Sequence, residues 1–147
     1  MTYEETLHYL YTSIPVFQHS GASAYKPGLD TSIALDNYLG NPHKAYKTIH
    51  VAGTNGKGSV SHLLAAILRQ AGYKVGLFTS PHLIDFRERI RVNGKMIPQE
   101  YVVDFVERHR TTFEPLHPSF FELTSTMAFD YFRAEKVDFA VIEVGMG

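Results

Sequence analysis

The most constraining feature of the sequence is a strand, a glycine-rich loop, a helix and a second strand in direct succession. Residues 48–52 are rich in strand-forming types and lead straight into glycines. The next segment carries one apolar stripe at helical spacing, formed by Val60, Leu63, Leu64, Ile67, Leu68 and Ala71. Gly72 is placed to end that helix, and residues 73–78 predict the second strand. Such a βαβ unit predicts two parallel strands.

Further elements surround this unit. Periodicity predicts helices over residues 3–11, 29–39 and 98–113 and another that starts near residue 120, and Asn93–Gly94 predicts a hairpin over residues 89–97. Residues 137–144 are almost continuously apolar, which is typical of a parallel strand covered on both faces. Because the chain ends soon afterwards, we expect this last strand to have an unpaired edge and the chain to be part of a longer protein.

The glycine-rich loop suits a phosphate group. Residues 53–59 read Gly-Thr-Asn-Gly-Lys-Gly-Ser, so glycines can turn backbone N–H groups inward, the helix adds its positive end, and Lys57 adds a full charge. Ser59 can bond a phosphate oxygen or Mg²⁺. The standard pattern has glycine in place of Val51 and a hydroxyl residue in place of Gly58, and the alternative is a glycine-rich turn with a solvated lysine. We predict the α/β class: a P-loop nucleotide-binding domain with a parallel sheet flanked by helices.

Two oxygen-bearing residues follow strands that end near this loop. Ser80 comes after the second predicted strand and Glu143 lies near the end of the third. Ligands of open α/β sheets gather beyond the carboxyl ends of the strands, where a carboxylate and a hydroxyl would hold Mg²⁺. The alternatives are an acid that meets solvent and a turn residue before proline.

A mixed-charge cluster follows the second strand. It consists of His82, Asp85, Arg87, Glu88, Arg89 and Arg91. The arginines could meet an anionic substrate, and the simpler interpretation is a solvated loop with screened ion pairs.

Composition excludes several classes of protein. The 147 residues allow one compact domain, and a formal net charge of -1 gives no sign of nucleic-acid binding. The longest aliphatic run, residues 63–68, is far short of the roughly 18 residues of a membrane span. The first five residues do not resemble an export signal, so we expect a cytoplasmic protein. With no cysteine, any metal site must use oxygen or imidazole ligands.

Four motifs together resemble one enzyme family. They are Gly-Thr-Asn-Gly-Lys-Gly-Ser at 53–59, Thr-Ser-Pro-His-Leu at 79–83, Phe-Arg-Glu-Arg-Ile at 86–90 and Glu-Val-Gly-Met-Gly at 143–147. In order and spacing they resemble the folylpolyglutamate synthases and dihydrofolate synthases, relatives of the Mur ligases. The resemblance implies a central domain of the Mur ligase type, truncated after its third strand.

The resemblance also implies roles for particular residues. Lys57 would be catalytic, Ser80 and Glu143 would be the magnesium ligands, and the ATP-binding residues would be Thr54, Asn55, Gly56, Lys57, Gly58 and Ser59. The pterin or folate would contact Lys26, Pro27, Gly28, Leu29, Pro81, Ser119, Phe120, Phe121 and Glu122.

The implied reaction is an ATP-dependent ligation. A folate or dihydropteroate carboxylate attacks the γ-phosphate, and the amine of glutamate then displaces phosphate from the acyl phosphate to form an amide. The implied organisation is a helical lead-in and loop over 1–46 and an incomplete P-loop core over 47–147, with the C-terminal domain absent. A histidine ligand, a modified lysine and the glutamate site would lie beyond Gly147, so this chain alone should be inactive. The family members are expected to be monomeric, with no nucleic-acid or membrane partner.

Other functions remain open at this stage. One is a Mur-type ligase that acts on another carboxylate, and a second is a nucleotide-binding module without catalysis. A simple P-loop kinase would normally place its hydroxyl directly after Lys57. The sequence does not decide between the dihydrofolate synthase reaction, the folylpolyglutamate synthase reaction and both.

Overall fold

A computed structural model describes residues 1–14, 30–53 and 56–143 of the chain. The chain divides into two compact units. The first comprises Met1–Asn41 and Gln99–Met127, and the second comprises Pro42–Pro98 and Ala128–Gly147. The sequence-based division at residue 46 stays a prediction.

The described residues form five α-helices and five strands. The helices are α1 (Tyr3–Ser13), α2 (Asp30–Tyr38), α3 (Lys57–Gln70), α4 (Gln99–Phe113) and α5 (Phe120–Ala134). The strands are β1 (Lys47–Val51), β2 (Val75–Phe78), β3 (Ile90–Val92), β4 (Lys95–Met96) and β5 (Phe139–Glu143). The predicted helices and the hairpin are confirmed within a few residues, because their apolar spacing and turn residues are local signals. None of the described helices is long and apolar enough to cross a membrane.

The first unit is helical. A capping box starts α1, in which the Glu5 backbone N–H donates to Thr2 Oγ1 and the Thr2 backbone N–H donates to Glu5 Oε1. Helix α1 packs on α4 through the rings of Tyr9 and Phe113, whose centroids lie 6.4 Å apart. Both side chains are buried, so this contact belongs to the core of the unit.

The second unit contains a mixed sheet in the order β1-β5-β2-β3-β4. The pairs β1/β5 and β5/β2 are parallel, as predicted, whereas the hairpin β3–β4 continues the sheet antiparallel to β2. The expectation of an unpaired edge at the last strand is wrong, because β5 lies between β1 and β2. A strand as apolar as β5 is best accommodated where both of its edges are paired and both of its faces are covered.

Helix α3 covers one face of the parallel strands. Val51, Val75, Leu77 and Val141 of the sheet form a buried cluster. Leu64, Ala65 and Leu68 of α3 pack against it. The remaining large residues of the sequence stripe, Val60, Leu63 and Ile67, are exposed. The apolar stripe is therefore wider than the face that this sheet buries.

The opposite face of β2 contacts α5. A Cβ added to Gly76 would lie 2.6–2.8 Å from ring atoms of Phe132, a fully buried side chain. Gly76 therefore leaves the space that the Phe132 ring occupies. Because successive strand residues face opposite ways, Val75 and Leu77 face α3 while Gly76 faces α5.

Candidate functional site

The first turn of α3 contains backbone N–H groups that the helix itself does not use. Its N-cap residue, Gly56, has φ 73°, a left-handed conformation that favours glycine, and it has no side chain that could cap the helix. The first intrahelical bond runs from the Val60 N–H to the Gly56 carbonyl at 2.9 Å. The N–H groups of Lys57, Gly58 and Ser59 therefore have no acceptor within the helix. Thr54 and Asn55, which were predicted to bind phosphate, lie outside the described residues.

Glu143 brings a carboxylate to this helix end. Its side chain is only 3% exposed, and strand alternation places it on the same face of β5 as Val141, the face that α3 covers. Glu143 Oε2 would lie 3.7 Å from a Cβ added to Gly58, and Glu143 Oε1 accepts a 3.4 Å hydrogen bond from the Ser80 backbone N–H. The structure thus brings together the first turn of α3, Ser80 and Glu143, as the sequence predicted.

The donor set at this point suits Mg²⁺. Within the described ranges, the Glu143 carboxylate forms one long hydrogen bond and no ion pair, although burial of an unpaired charge is costly. Ser80, whose backbone N–H donates to this carboxylate, also carries a hydroxyl. Among the residues that can be described, no group of three His, Cys, Asp or Glu side chains could hold a metal. Mg²⁺ needs no such group, since it commonly takes one or two carboxylates and completes its shell with water and phosphate oxygens.

The loop that follows Ser80 is built around Glu88. The Glu88 carboxylate accepts hydrogen bonds from the backbone N–H groups of Leu83, Ile84 and Asp85 at 2.9, 3.1 and 2.8 Å. These bonds, that of Asp85 foremost, hold the pKa of Glu88 below its usual value. Leu83 and Ile84 are each 91% exposed, so the loop presents two aliphatic side chains on an internally bonded backbone.

Two further contacts order the same charged segment. Asp85 accepts from the Arg87 backbone N–H at 3.0 Å and starts a short 3₁₀ helix, Phe86–Arg89. Arg89 is 7% exposed, and its Nε donates to His82 Nδ1 at 2.7 Å. Burial, and then the Arg89 guanidinium, lower the pKa of His82. The interpretation of a solvated loop is therefore wrong for Arg89, which is buried, whereas Glu88 stays partly exposed although its carboxylate accepts three backbone hydrogen bonds. The spacing of Asp85 and Glu88, a capping-box pattern, was the signal that could have shown the order.

The predicted substrate segment of the first unit is a helix cap. The Glu122 backbone N–H donates to Ser119 Oγ at 3.1 Å, and the Ser119 backbone N–H donates to Glu122 Oε1 at 2.8 Å. Phe120 is buried and stacks on Tyr11 with ring centroids 5.5 Å apart, while Phe121 is 36% exposed.

Of the other predicted substrate residues, the structure describes Pro81 alone. Lys26, Pro27, Gly28 and Leu29 lie outside the described residues. Pro81 follows Ser80 through a cis peptide bond in the second unit.

Comparisons with known proteins agree on one kind of enzyme. The dihydrofolate synthase/folylpolyglutamate synthase of Bacillus subtilis is 43% identical over 129 residues, which is 83% of this chain. A crystal structure of folylpolyglutamate synthase from Thermotoga maritima superposes with a TM-score of 0.85 at 46% identity over 99% of this chain. A solved complex of folylpolyglutamate synthase (FPGS) with AMPPCP and folate superposes on this chain with a TM-score of 0.87 at 36% identity over the whole chain. No protein-family model matches the sequence.

The matches cover only part of each relative. The chain spans 17–34% of the length of the first three curated relatives and 33% and 36% of the two solved chains. The matched part is their N-terminal segment.

Proposed function

Since this chain belongs, as an N-terminal segment, to the family of folylpolyglutamate synthases and dihydrofolate synthases, we propose that its protein is an ATP-dependent ligase. It joins the carboxylate of a folate or dihydropteroate to the amine of glutamate and releases ADP and phosphate. The named relatives and the complex with AMPPCP and folate support this substrate class.

One observation carries the proposal. The buried Glu143 carboxylate lies beside the first turn of α3, whose backbone N–H groups and Lys57 would bind phosphate. A helix end of this kind attracts anions, while a buried carboxylate repels them unless a cation lies between the two. A nucleoside triphosphate bound together with a divalent cation would meet both requirements, because the phosphates would lie at the helix end and the cation would lie beside the carboxylate.

Residues of this chain would act on the nucleotide by position and charge. The N–H groups of Lys57, Gly58 and Ser59 would bind phosphate oxygens, and the Lys57 ammonium would offset charge that builds on the γ-phosphate during transfer. The hydroxyl of Ser59 lies in the first turn of α3 and would add one more hydrogen bond. These groups would orient the γ-phosphate toward the attacking carboxylate. A bond from the carboxylate oxygen to the γ-phosphorus would form the acyl phosphate, and the bond from that phosphorus to ADP would break. The glutamate amine would then attack the acyl carbon and expel phosphate.

Glu143 and Ser80 would hold the magnesium ion. When bound, Mg²⁺ would neutralise the β- and γ-phosphates and stabilise the developing charge. Glu143 contributes a carboxylate that the fold already holds against α3. The position of Ser80 is set by its backbone N–H, which donates to the same carboxylate.

The test is ADP release by the full-length protein with magnesium-ATP and glutamate. Dihydropteroate, tetrahydrofolate and a Mur-type sugar peptide would be compared as acceptors. Turnover with dihydropteroate or tetrahydrofolate supports the proposal and shows which glutamate addition the enzyme performs. Turnover with the sugar peptide alone favours a Mur-type ligase, and nucleotide binding without turnover favours a binding module. Either result contradicts the proposal.

A further inference from the structure

A hydroxyl from α2 holds the carboxylate of Glu122. Ser32 Oγ donates to Glu122 Oε2 at 3.1 Å, across 90 positions of sequence. The other oxygen, Oε1, accepts the Ser119 backbone N–H at 2.8 Å. Each carboxylate oxygen therefore has a donor, one from the cap of its own helix and one from α2. All three residues belong to the first unit.

We propose that Ser32 is a positioning residue for Ser119–Glu122, the segment that the family resemblance predicts to contact the pterin. This inference rests on the proposed function, because it assigns Ser32 a role in binding the pteroate or folate substrate. Ser32 acts through Glu122, since its hydroxyl ties the first turns of α2 to the cap of α5.

The neighbouring contacts explain why Ser32 has a distinct effect. Thr31 Oγ1 donates to the Leu116 carbonyl at 3.3 Å, and Tyr11 stacks on Phe120, so other bonds already hold the backbone of this segment. Ser32 reaches Glu122 Oε2 with a side-chain hydroxyl from another helix. Loss of that bond should leave the helices folded and hold the carboxylate less firmly in its position. Substrate affinity should therefore change more than stability.

The experiment compares Ser32→Ala with Ser125→Ala in the full-length protein. Ser125 is a matched control because its hydroxyl lies in α5 and donates to the Glu122 backbone carbonyl at 3.0 Å, not to the carboxylate. KM for the pterin substrate, KM for ATP, kcat and the melting temperature would be measured for each. We expect Ser32→Ala to raise KM for dihydropteroate or tetrahydrofolate about fivefold, the scale of one hydrogen bond, with KM for ATP unchanged. Ser125→Ala should match the wild type.

A double-mutant cycle tests whether Ser32 acts through Glu122. Ser32→Ala should raise KM in the wild type and have no further effect in Glu122→Ala, because the partner is already gone. An unchanged KM in Ser32→Ala, equal rises in KM for ATP and for the pterin substrate, or additive effects in the cycle would overturn this inference alone. A wild-type protein that releases no ADP with either pterin substrate would overturn the proposed function, and the role of Ser32 with it.

Discussion

Val51 and Glu143 are Cα partners in the parallel pairing of β1 and β5. Val51 ends the strand that leads into the glycine-rich loop, and Glu143 ends β5, the middle one of the three parallel strands. The register therefore places Glu143, the candidate magnesium ligand, beside the residue at which the glycine-rich loop begins. Ser80 reaches the same level from β2, whose last residue, Phe78, pairs with Ile142.

We predict that Lys57→Ala abolishes ATP turnover and leaves the fold intact. Lys57 lies in the first turn of α3, where we propose that its charge stabilises phosphate, so kcat should fall at least about 100-fold, the scale of a lost charge-stabilising donor. Steady-state ADP release and thermal melting would be measured. Lys74→Ala is the control, because the Lys74 ammonium contacts Glu135 at 3.6 Å on the surface. Near-normal turnover in Lys57→Ala would contradict the assignment.

Glu143→Gln should separate function from stability. The amide keeps the size of the side chain but removes a buried charge that has no described cationic partner. We expect the Mg²⁺ concentration for half-maximal activity to rise by roughly tenfold or more, the scale of a weakened metal site. The melting temperature without metal and nucleotide should stay the same or increase.

Glu135→Gln, an exposed acid, is the matched control for this substitution. A large drop in the melting temperature of metal-free Glu143→Gln, with unchanged Mg²⁺ dependence, would indicate that the carboxylate is structural.

Gly76→Ala should destabilise the second unit. The added Cβ would lie 2.6–2.8 Å from the Phe132 ring, so the ring or the strand must shift. Overpacking of this kind costs about 1–3 kcal/mol in the free energy of unfolding, which urea denaturation would measure. Phe132→Leu in the same chain should recover part of the loss, because the smaller side chain makes room. Simple additivity of the two substitutions would show that the predicted clash does not occur.

The loop around Glu88 should loosen in acid. Because the folded pKa of Glu88 is lowered, its carboxylate stabilises the loop above the usual pKa of 4.5 and loses this effect as the pH falls through the lower folded value. The protection factor for amide hydrogen exchange at residues 83–85, which corrects for the intrinsic pH dependence of exchange, should therefore decrease only below pH 4.5. Glu88→Gln should remove this pH dependence, and Glu100→Gln, at an exposed helix start, should not. A midpoint above the usual value would contradict the lowered pKa.

Much of the fold could be predicted because its signals are local. The helical stripe that leads to Gly72, the Asn93–Gly94 turn and the apolar run of β5 each depend on neighbouring residues. The capping-box spacing of Asp85 and Glu88 is also a local signal, but the burial of Arg89 could not be predicted in the same way. Charged side chains in a loop are usually solvated, and only the folded structure shows that Arg89 is buried and that its Nε donates to His82 Nδ1.

The sequence by itself determined the type of each element, the place of the glycine-rich loop between β1 and α3, and the family that these motifs resemble. Only the tertiary structure decided that β5 lies between β1 and β2, that Glu143 faces the first turn of α3, and that Ser32 holds Glu122. The physical reason is the range of the interactions. Helix periods and turns are set by residues within a few positions, whereas strand order and side-chain contacts across 90 positions depend on which apolar faces the whole chain can bury together.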